Sequence, residues 1–478
     1  MTSIIDKWRK MPATVKASVA YAVCNILQKC ISFITQPFFM RMLTTEQFGE
    51  VTLYGTWSGI LTIFLTLNLA YGSFATAMVK FEKDRDGYIS SVQGINVYLT
   101  LVFLVIYLPL SKQFNIVFEL PTPIMLLMIA EIMAVNSWTL WTGKKRFEYK
   151  WKAIVVLTLI NSLLSPLLGF LIVLNVEQRG LGRIVGFAAV SVIMGVVLFT
   201  INALRGKKTL NKEYWEYALR FNIPLIAYYL SQTIFNMSDR IMISHLINKD
   251  AAGVYGAAYM LAMILTFVLN AINNSYEPWF FSQLKEGKHN ENRSVSLAIA
   301  LLMSLLLCGI IWFAPEVIWI YAGEQYGDAV YVVLPVAMSV LLLFYSQLFI
   351  NVEFYFERKK ELVWASIGSA MINIVLNWFL IPRYGIVAAG YTTFVSYIVF
   401  VLCNYVAMKK ILKQENIKGD MFDYKKLILL LAAFCTLSAI GALLYGYLWI
   451  RIVVAAAVLI AMIVKRNYFI DMYRKIKG

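Results

Sequence analysis

Apolar residues gather in runs of about twenty along most of the chain, separated by short breaks of charged, polar and glycine residues. A bilayer core takes about 20 apolar residues per helix, and on that measure about fourteen spans are expected,. The first six cover about 14–40, 48–70, 88–110, 121–143, 152–175 and 181–203,. The next six cover about 218–246, 251–275, 294–315, 329–352, 362–382 and 386–408, and two more follow at about 427–446 and 449–465,. Connections are short, so no extramembrane domain is expected,.

Composition agrees. The 478 residues are 60% hydrophobic and only 15% charged, with a mean hydropathy of +0.69. A soluble domain is nearer half apolar and a quarter charged. That difference excludes a soluble enzyme, a nucleic-acid-binding protein and a disordered hub. The net charge of +16 is therefore loop and cavity charge, and no nucleic-acid partner is expected. With the N-terminus placed in the cytoplasm and the sides alternating, cytoplasmic segments hold 34 of the 43 Lys and Arg residues. The outer loops hold Arg41, Lys112, Arg179, Arg183, Lys249, Arg383 and Arg451. The positive-inside rule then puts both termini in the cytoplasm. No cleavage site follows Asp6–Lys10, and Ile4, Ile5 and Trp8 read as an interfacial anchor,. The five cysteines lie in apolar runs without CxxC spacing, as small buried residues do,. Two histidines, His245 and His289, are too few to build a metal site,.

The chain carries an internal echo. Thr44-Thr45-Glu46-Gln47-Phe48-Gly49 after span 1 matches Asn248-Lys249-Asp250-Ala251-Ala252-Gly253 after span 7: polar cap, any residue, acid, two residues, glycine. This is helix-start chemistry, with an oxygen capping free N–H groups and an acid at the positive dipole end. Arg179 before span 6 and Arg383 before span 12 share the same offset, and Asn161 and Asn373 each follow an isoleucine in spans 5 and 11. The fold expected is all-α and membrane-embedded: two parallel six-helix repeats, 1–203 and 204–410, then a hairpin and cytoplasmic tail, 411–478. Parallel repeats of this kind meet at a V-shaped central cleft that opens to either face in turn.

Ionisable groups in mid-membrane cost about 2.5–3.5 kcal/mol each and mark function by default. Four stand out: Lys29 in span 1, Glu131 in span 4, and Asp239 with Arg240 in span 7. Lys29 sits too deep to snorkel easily, though it could pair with Glu131. Arg240 lies near the outer end, where snorkelling or a polar cluster with Asp239 competes with a cavity role. Asn25, Gln28, Lys29, Ser32 and Gln36 recur at i, i+3, i+4, i+7 and i+11, which is one helix face,. Span 7 repeats the theme with Gln232, Asn236, Asp239 and Arg240, and span 8 ends in Asn270, Asn273 and Asn274. A single such amide often serves interhelical hydrogen bonding. Whole polar faces on two equivalent helices point instead to a wet cavity. Cationic and rich in amides, it suits an anionic ligand with many hydroxyls, because a pyrophosphate needs cations. Span 1 lacks the acids that an exporter of cationic drugs would want.

Two stretches carry a family resemblance: Phe39-Met40-Arg41-Met42-Leu43-Thr44-Thr45-Glu46-Gln47-Phe48-Gly49, and Met237-Ser238-Asp239-Arg240-Ile241-Met242-Ile243 with Asp250–Gly253 and Tyr255. Both resemble the polysaccharide-lipid flippases called Wzx, of the superfamily that holds the multidrug/toxin exporters and the lipid II flippase. The resemblance covers the chain's six-plus-six-plus-two layout. It implies a protein of the bacterial inner membrane that carries undecaprenyl-pyrophosphate-linked O-antigen or capsule repeat units to the periplasmic leaflet. It implies alternating access and an ion gradient, with H⁺ or Na⁺ as coupling ion, antiport as its mode and no other cofactor. Polymerase and chain-length machinery are the partner proteins it suggests. On this reading Lys29 and Arg240 contact the anion. Asn25, Gln28, Gln36, Asn236, Asn270 and Asn274 contact the substrate, and Glu131 or Asp239 couples the ion. Rivals are a lipid II flippase and a cation-coupled drug exporter on the same fold. An enzyme of polysaccharide assembly would need a large catalytic outer loop. The outer loops at about 111–120 and 316–328 are short,, so no enzyme is expected. No GxxxxGK[ST] loop for ATP occurs,.

Overall fold

The computed structural model describes residues 12–417 and 419–464, and among them there are helices and turns but no strand. The expected N-terminal anchor and the end of the cytoplasmic tail lie outside the described residues. Among the described residues sixteen α-helices run in the order α1 (Ala13–Met42), α2 (Thr45–Thr66), α3 (Phe74–Lys80), α4 (Arg85–Tyr107), α5 (Ser111–Phe118), α6 (Thr122–Phe147), α7 (Trp151–Asn175) and α8 (Arg179–Gly206). They continue as α9 (Lys212–Leu246), α10 (Lys249–Glu286), α11 (His289–Trp312), α12 (Ala314–Tyr321), α13 (Ala329–Tyr355), α14 (Lys359–Gln414), α15 (Tyr424–Leu443) and α16 (Leu448–Val464). Each expected span falls on a helical stretch. Among the described residues ten helices are long and apolar enough to cross a membrane. The long α14 is two expected spans in one: Gly385, at φ 68°, breaks it between them. Helices α2, α9 and α16 are not among the ten. Helix α9 carries a polar face, and α16 has only 17 residues.

The two halves repeat the same local devices. Thr44 Oγ1 accepts the Gln47 N–H and Gln47 Oε1 accepts the Thr44 N–H, both at 3.2 Å, which closes a capping box at the start of α2,. At the start of α10, Asn248 Oδ1 accepts the Ala251 N–H at 2.8 Å. The two outer loops read as plain connections from the sequence each hold a short helix, α5 and α12. After α6 and α13 the chain reverses through a left-handed residue, Tyr149 (φ 53°) and Glu357 (φ 57°).

Packing divides the chain into two compact units, Met1–Thr233 and Ile234–Gly478. In the first, α6, α7 and α8 approach closely over small residues. A Cβ on Gly195 would lie 2.3 Å from that of Ala134, and one on Gly186 would lie 2.4 Å from the Gly169 Cα. Membrane helices need such approach, because lipid tails give them no hydrophobic drive to associate. In the second unit α13 is buried along nearly its whole length, between α10, α11 and α14. Many large apolar side chains, such as Ile26, Ile34, Val105, Ile193, Trp378, Phe379 and Leu402, point outward, as a lipid-facing surface requires.

The C-terminal hairpin is held to the second unit by a buried arginine. Arg451, only 1% exposed, makes two hydrogen bonds to the Glu316 carboxylate, at 2.7 and 2.6 Å. It also donates to the Trp312 carbonyl at 2.6 Å and to the Tyr445 carbonyl at 3.0 Å. Counting by loops placed Arg451 in an outer connection. Instead it starts a helix and buries its charge, because a bidentate carboxylate and two carbonyls replace its water.

Candidate functional site: a polar groove in unit 1 and a carboxylate hub in unit 2

In the first unit the polar face of α1 lines a groove made of two adjoining cavities. The first, of about 230 Å³, takes Tyr21, Asn25 and Gln28 from α1, Trp138, Thr142 and Arg146 from α6, and Thr158 and Asn161 from α7. The second, of about 220 Å³, takes Ser32 and Gln36, Glu131 of α6, Ser162 and Ser165 of α7, and Arg183 of α8. Gln28, Asn161 and Ser191 belong to both. Asn25, Gln28, Ser32 and Gln36 of the stripe therefore face a polar recess inside unit 1, and Lys29 does not. Each contributing helix presents one side: 21, 25 and 28 on α1, 138, 142 and 146 on α6, 154, 158 and 161 on α7,.

Arginines stand toward both ends of this groove, and reading the sequence missed them. Arg183 was counted with the outer loops, yet it lies in α8 and is only 8% exposed. Its guanidinium donates to Gln36 Oε1 at 2.8 Å and stands about 5.1 Å from the ring centres of Phe39 and Phe187. Its place, two residues inside an expected span, was the available signal. Glu131 lines the same cavity, and its Oε2 accepts the Tyr54 hydroxyl at 2.6 Å. Lys29 is on an exposed face of α1, outside the linings of both cavities.

Arg146 follows two buried lysines at the end of α6. Lys144 pairs with Asp86 and, at 3.3 Å, with Glu148; Lys145 pairs with Glu148 at 2.8 Å. Burial pushes the Glu148 carboxyl up, but the hydrogen bonds from Lys145 and Lys150 and the charges of Lys144 and Lys145 outweigh it and hold it at about 2,.

In the second unit Asp239 is only 1% exposed and is the acceptor at the centre of a buried network. Tyr255 Oη, Asn377 Nδ2 and Thr393 Oγ1 each donate to it at 2.7 Å. Thr392 donates to Asn377 Oδ1, and Asn373 Nδ2 donates to Thr393 Oγ1 at 3.3 Å. The network ties α9 to α10 and to both parts of α14. Asp239 and Arg240 diverge, as neighbours on a helix must. The Arg240 guanidinium lies 4.1 Å from the Tyr259 ring centre and donates to the Asn236 carbonyl at 3.0 Å. Asn236, Tyr259, Thr266, Asn270 and Tyr397 line a cavity of about 220 Å³. Asn236 Oδ1 accepts the Tyr397 hydroxyl at 3.0 Å. Asn274 is exposed and outside that lining, whereas Asn273 is buried and accepts from Asn351 at 3.1 Å.

Against known families, residues 14–285 match the model described as "Polysaccharide biosynthesis protein". The chain belongs to that family. Among curated relatives it is 24% identical over 389 residues to "Lsg locus putative protein 1" of Haemophilus influenzae, covering 75% of this chain and 89% of that protein. It is 24% identical over 378 residues to an "Uncharacterized membrane protein" of the same organism, at 75% and 88% coverage. Among solved structures, the lipid II flippase MurJ in an inward closed conformation superposes with a TM-score of 0.69 at 13% identity, over 93% of this chain and all of that one. A multidrug resistance MATE transporter of the MOP superfamily, inward-facing, gives 0.65 at 14% identity, over 83% and 99%. This member of the polysaccharide biosynthesis family thus has the fold of those transporters, which is the fold that the resemblance of the stretches around Gln47 and Asp239 implied.

Proposed function

We propose that this protein is a flippase for undecaprenyl-pyrophosphate-linked oligosaccharide units, working by alternating access from the cytoplasmic to the outer leaflet. The observation that carries the reading is the groove of unit 1: a path of amides and hydroxyls bearing Arg146 and Arg183, inside a protein whose outer surface is apolar. Amides and hydroxyls replace the water around a glycan, guanidinium groups meet phosphate, and the lipid tail stays in the bilayer. The family's description and the MOP fold support the same reading. Asn25, Gln28 and Gln36 in unit 1, and Asn236, Asn270 and Asn274 in unit 2, are its proposed glycan contacts. Lys29 and Arg240 are proposed as further anion contacts beside Arg146 and Arg183, and Glu131 and Asp239 are candidates for coupling to H⁺ or Na⁺. The protein moves its substrate and leaves the bonds intact, in the cytoplasmic membrane with both termini inside.

The test is the sidedness of lipid-linked glycan in the host. Deletion should leave undecaprenyl-linked units on the cytoplasmic leaflet, and Lys29→Ala and Arg240→Ala should do the same at normal protein levels. Unchanged sidedness in the deletion removes the flippase reading and favours a small-molecule exporter. A lethal block in cell-wall synthesis would point to lipid II instead. A defect in the deletion alone keeps the function and moves the anion contacts elsewhere.

A further inference from the structure

Three consecutive bases end α6, and they have different fates. Lys144 and Lys145 are buried and paired with Asp86 and Glu148. Arg146 points away from both, onto the face that carries Trp138 and Thr142, at i−8 and i−4,. Among the described residues no carboxylate pairs with it; its guanidinium stands 5.6 Å from the Tyr21 ring centre at the first cavity of the groove. That cavity's lining contains no acid. An exposed guanidinium keeps its planar fork of donors available, and a phosphate fits that fork with two parallel bonds. Beside the apolar Cys24, Val135 and Ile154, the lining offers groups that suit a sugar: aromatic rings at Tyr21 and Trp138, amides at Asn25, Gln28 and Asn161, and a hydroxyl at Thr158.

We infer that this cavity is a binding site for a glycosyl phosphate, with the phosphate on Arg146 and the sugar ring against Trp138 among the amides. The inference rests on the flippase reading and deepens it: this end of the groove reads the junction between the first sugar and its phosphate, whatever the outer sugars. The same chemistry is present in a soluble sugar phosphate, so both sources belong in the test.

The experiment uses the full chain, purified in nanodiscs, and calorimetric titration. The probes are a panel of hexose and N-acetylhexosamine 1-phosphates, the free sugars, inorganic phosphate, and one farnesyl-diphosphate-linked sugar. At least one sugar 1-phosphate should bind more tightly than its free sugar and than phosphate. Arg146→Gln should weaken that binding on the order of tenfold or more, and Arg146→Lys should restore part of it. Trp138→Leu should weaken the sugar phosphate and leave inorganic phosphate unchanged, a split that a merely misfolded variant would not give. Dependence of the farnesyl-linked probe on Arg146 identifies the lipid-linked source; dependence of the soluble probes alone identifies the soluble one. The inference is overturned if no panel member binds in an Arg146-dependent way, or if Arg146→Gln, folded and monodisperse, binds as wild type does. Such a failure beside a positive sidedness assay leaves the flippase standing without this site. Arg146-dependent binding beside a negative sidedness assay does the reverse.

Discussion

Removing the Asp239 carboxylate should loosen the second unit by an amount that can be worked out from its partners. Tyr255, Asn377 and Thr393 all donate to it at 2.7 Å in an enclosure where the aspartate is only 1% exposed. In Asp239→Ala all three donors lose their acceptor. Hydrogen bonds between membrane helices are worth about 0.6 kcal/mol on average and up to about 1.7. Three together therefore cost roughly 2 to 5 kcal/mol. Asp239→Asn keeps one carbonyl oxygen but turns an NH₂ toward a donor, so its cost should be smaller, on the order of 1 to 3 kcal/mol. The assay is thermal unfolding of purified protein in one detergent, followed with a dye that labels Cys308 and Cys435, half-buried in the second unit, as they become fully exposed. The expected order of Tm is wild type, then Asn, then Ala, and Asn377→Leu should add little to Asp239→Ala because the two share one network. A wild-type Tm for Asp239→Ala would refute the reasoning. The carboxylate would then not be the network's acceptor, and only its proposed coupling role would remain.

Further expectations follow from other contacts. The hydrogen bonds from Arg451 hold the Glu316 carboxyl below the ordinary carboxylate range. The stability it contributes is thus complete above its unfolded pKa of about 4.3 and is lost as pH falls through the lower folded value. Glu316→Gln should flatten that acid loss in a pH series of Tm values; an unchanged series would show that the clasp does not form. Glu148, held at about 2, should behave likewise over the window from about 4.3 down to 2,. Glu148→Gln should accordingly lower Tm at pH 7 and converge with wild type near pH 2, and equal stability at pH 7 would count against the triad with Lys144 and Lys145. Gly195→Leu should abolish folded protein, since even a Cβ there meets Ala134 at 2.3 Å, whereas Gly368→Ala, with nothing within 4 Å, should express normally. Fluorescence size-exclusion profiles decide between them, and a normal Gly195→Leu profile would contradict the close packing of α6 and α8.

The helices were legible because a membrane makes burial a matter of run length, and the caps at Thr44 and Asn248 because cap chemistry is local. Four positions of the α1 face, Asn25, Gln28, Ser32 and Gln36, could be read from spacing alone, but the same spacing wrongly put Lys29 with them. The partners of that face could not. Arg183 looked like a loop cation because it lies within one turn of a helix start, and only packing shows Gln36 beside it with Phe39 and Phe187 around it. Arg451 was hidden for the same reason, its partner Glu316 lying on a short helix that read as a loop. Asp239 was visible as a costly residue. That it is satisfied by Asn377 and Thr393 depends on the two parts of α14 meeting α9, which no local pattern encodes. Among Lys144, Lys145 and Arg146 the sequence shows three equal charges, and helix geometry combined with Asp86 and Glu148 separates the paired lysines from the arginine at the groove.

The most direct measurement is leaflet exchange in proteoliposomes that hold only the purified protein and the host's own lipid-linked glycan, carrying a fluorescent label on the sugar. A membrane-impermeant quencher reads how much label has crossed. Label initially confined to the inner leaflet should become quenchable with wild type, faster when an H⁺ or Na⁺ gradient is imposed. Arg146→Gln with Arg183→Gln should slow the crossing to near the rate of empty liposomes. Wild-type protein that is folded and reconstituted, yet leaves the label where it began under either gradient, would contradict the flippase reading.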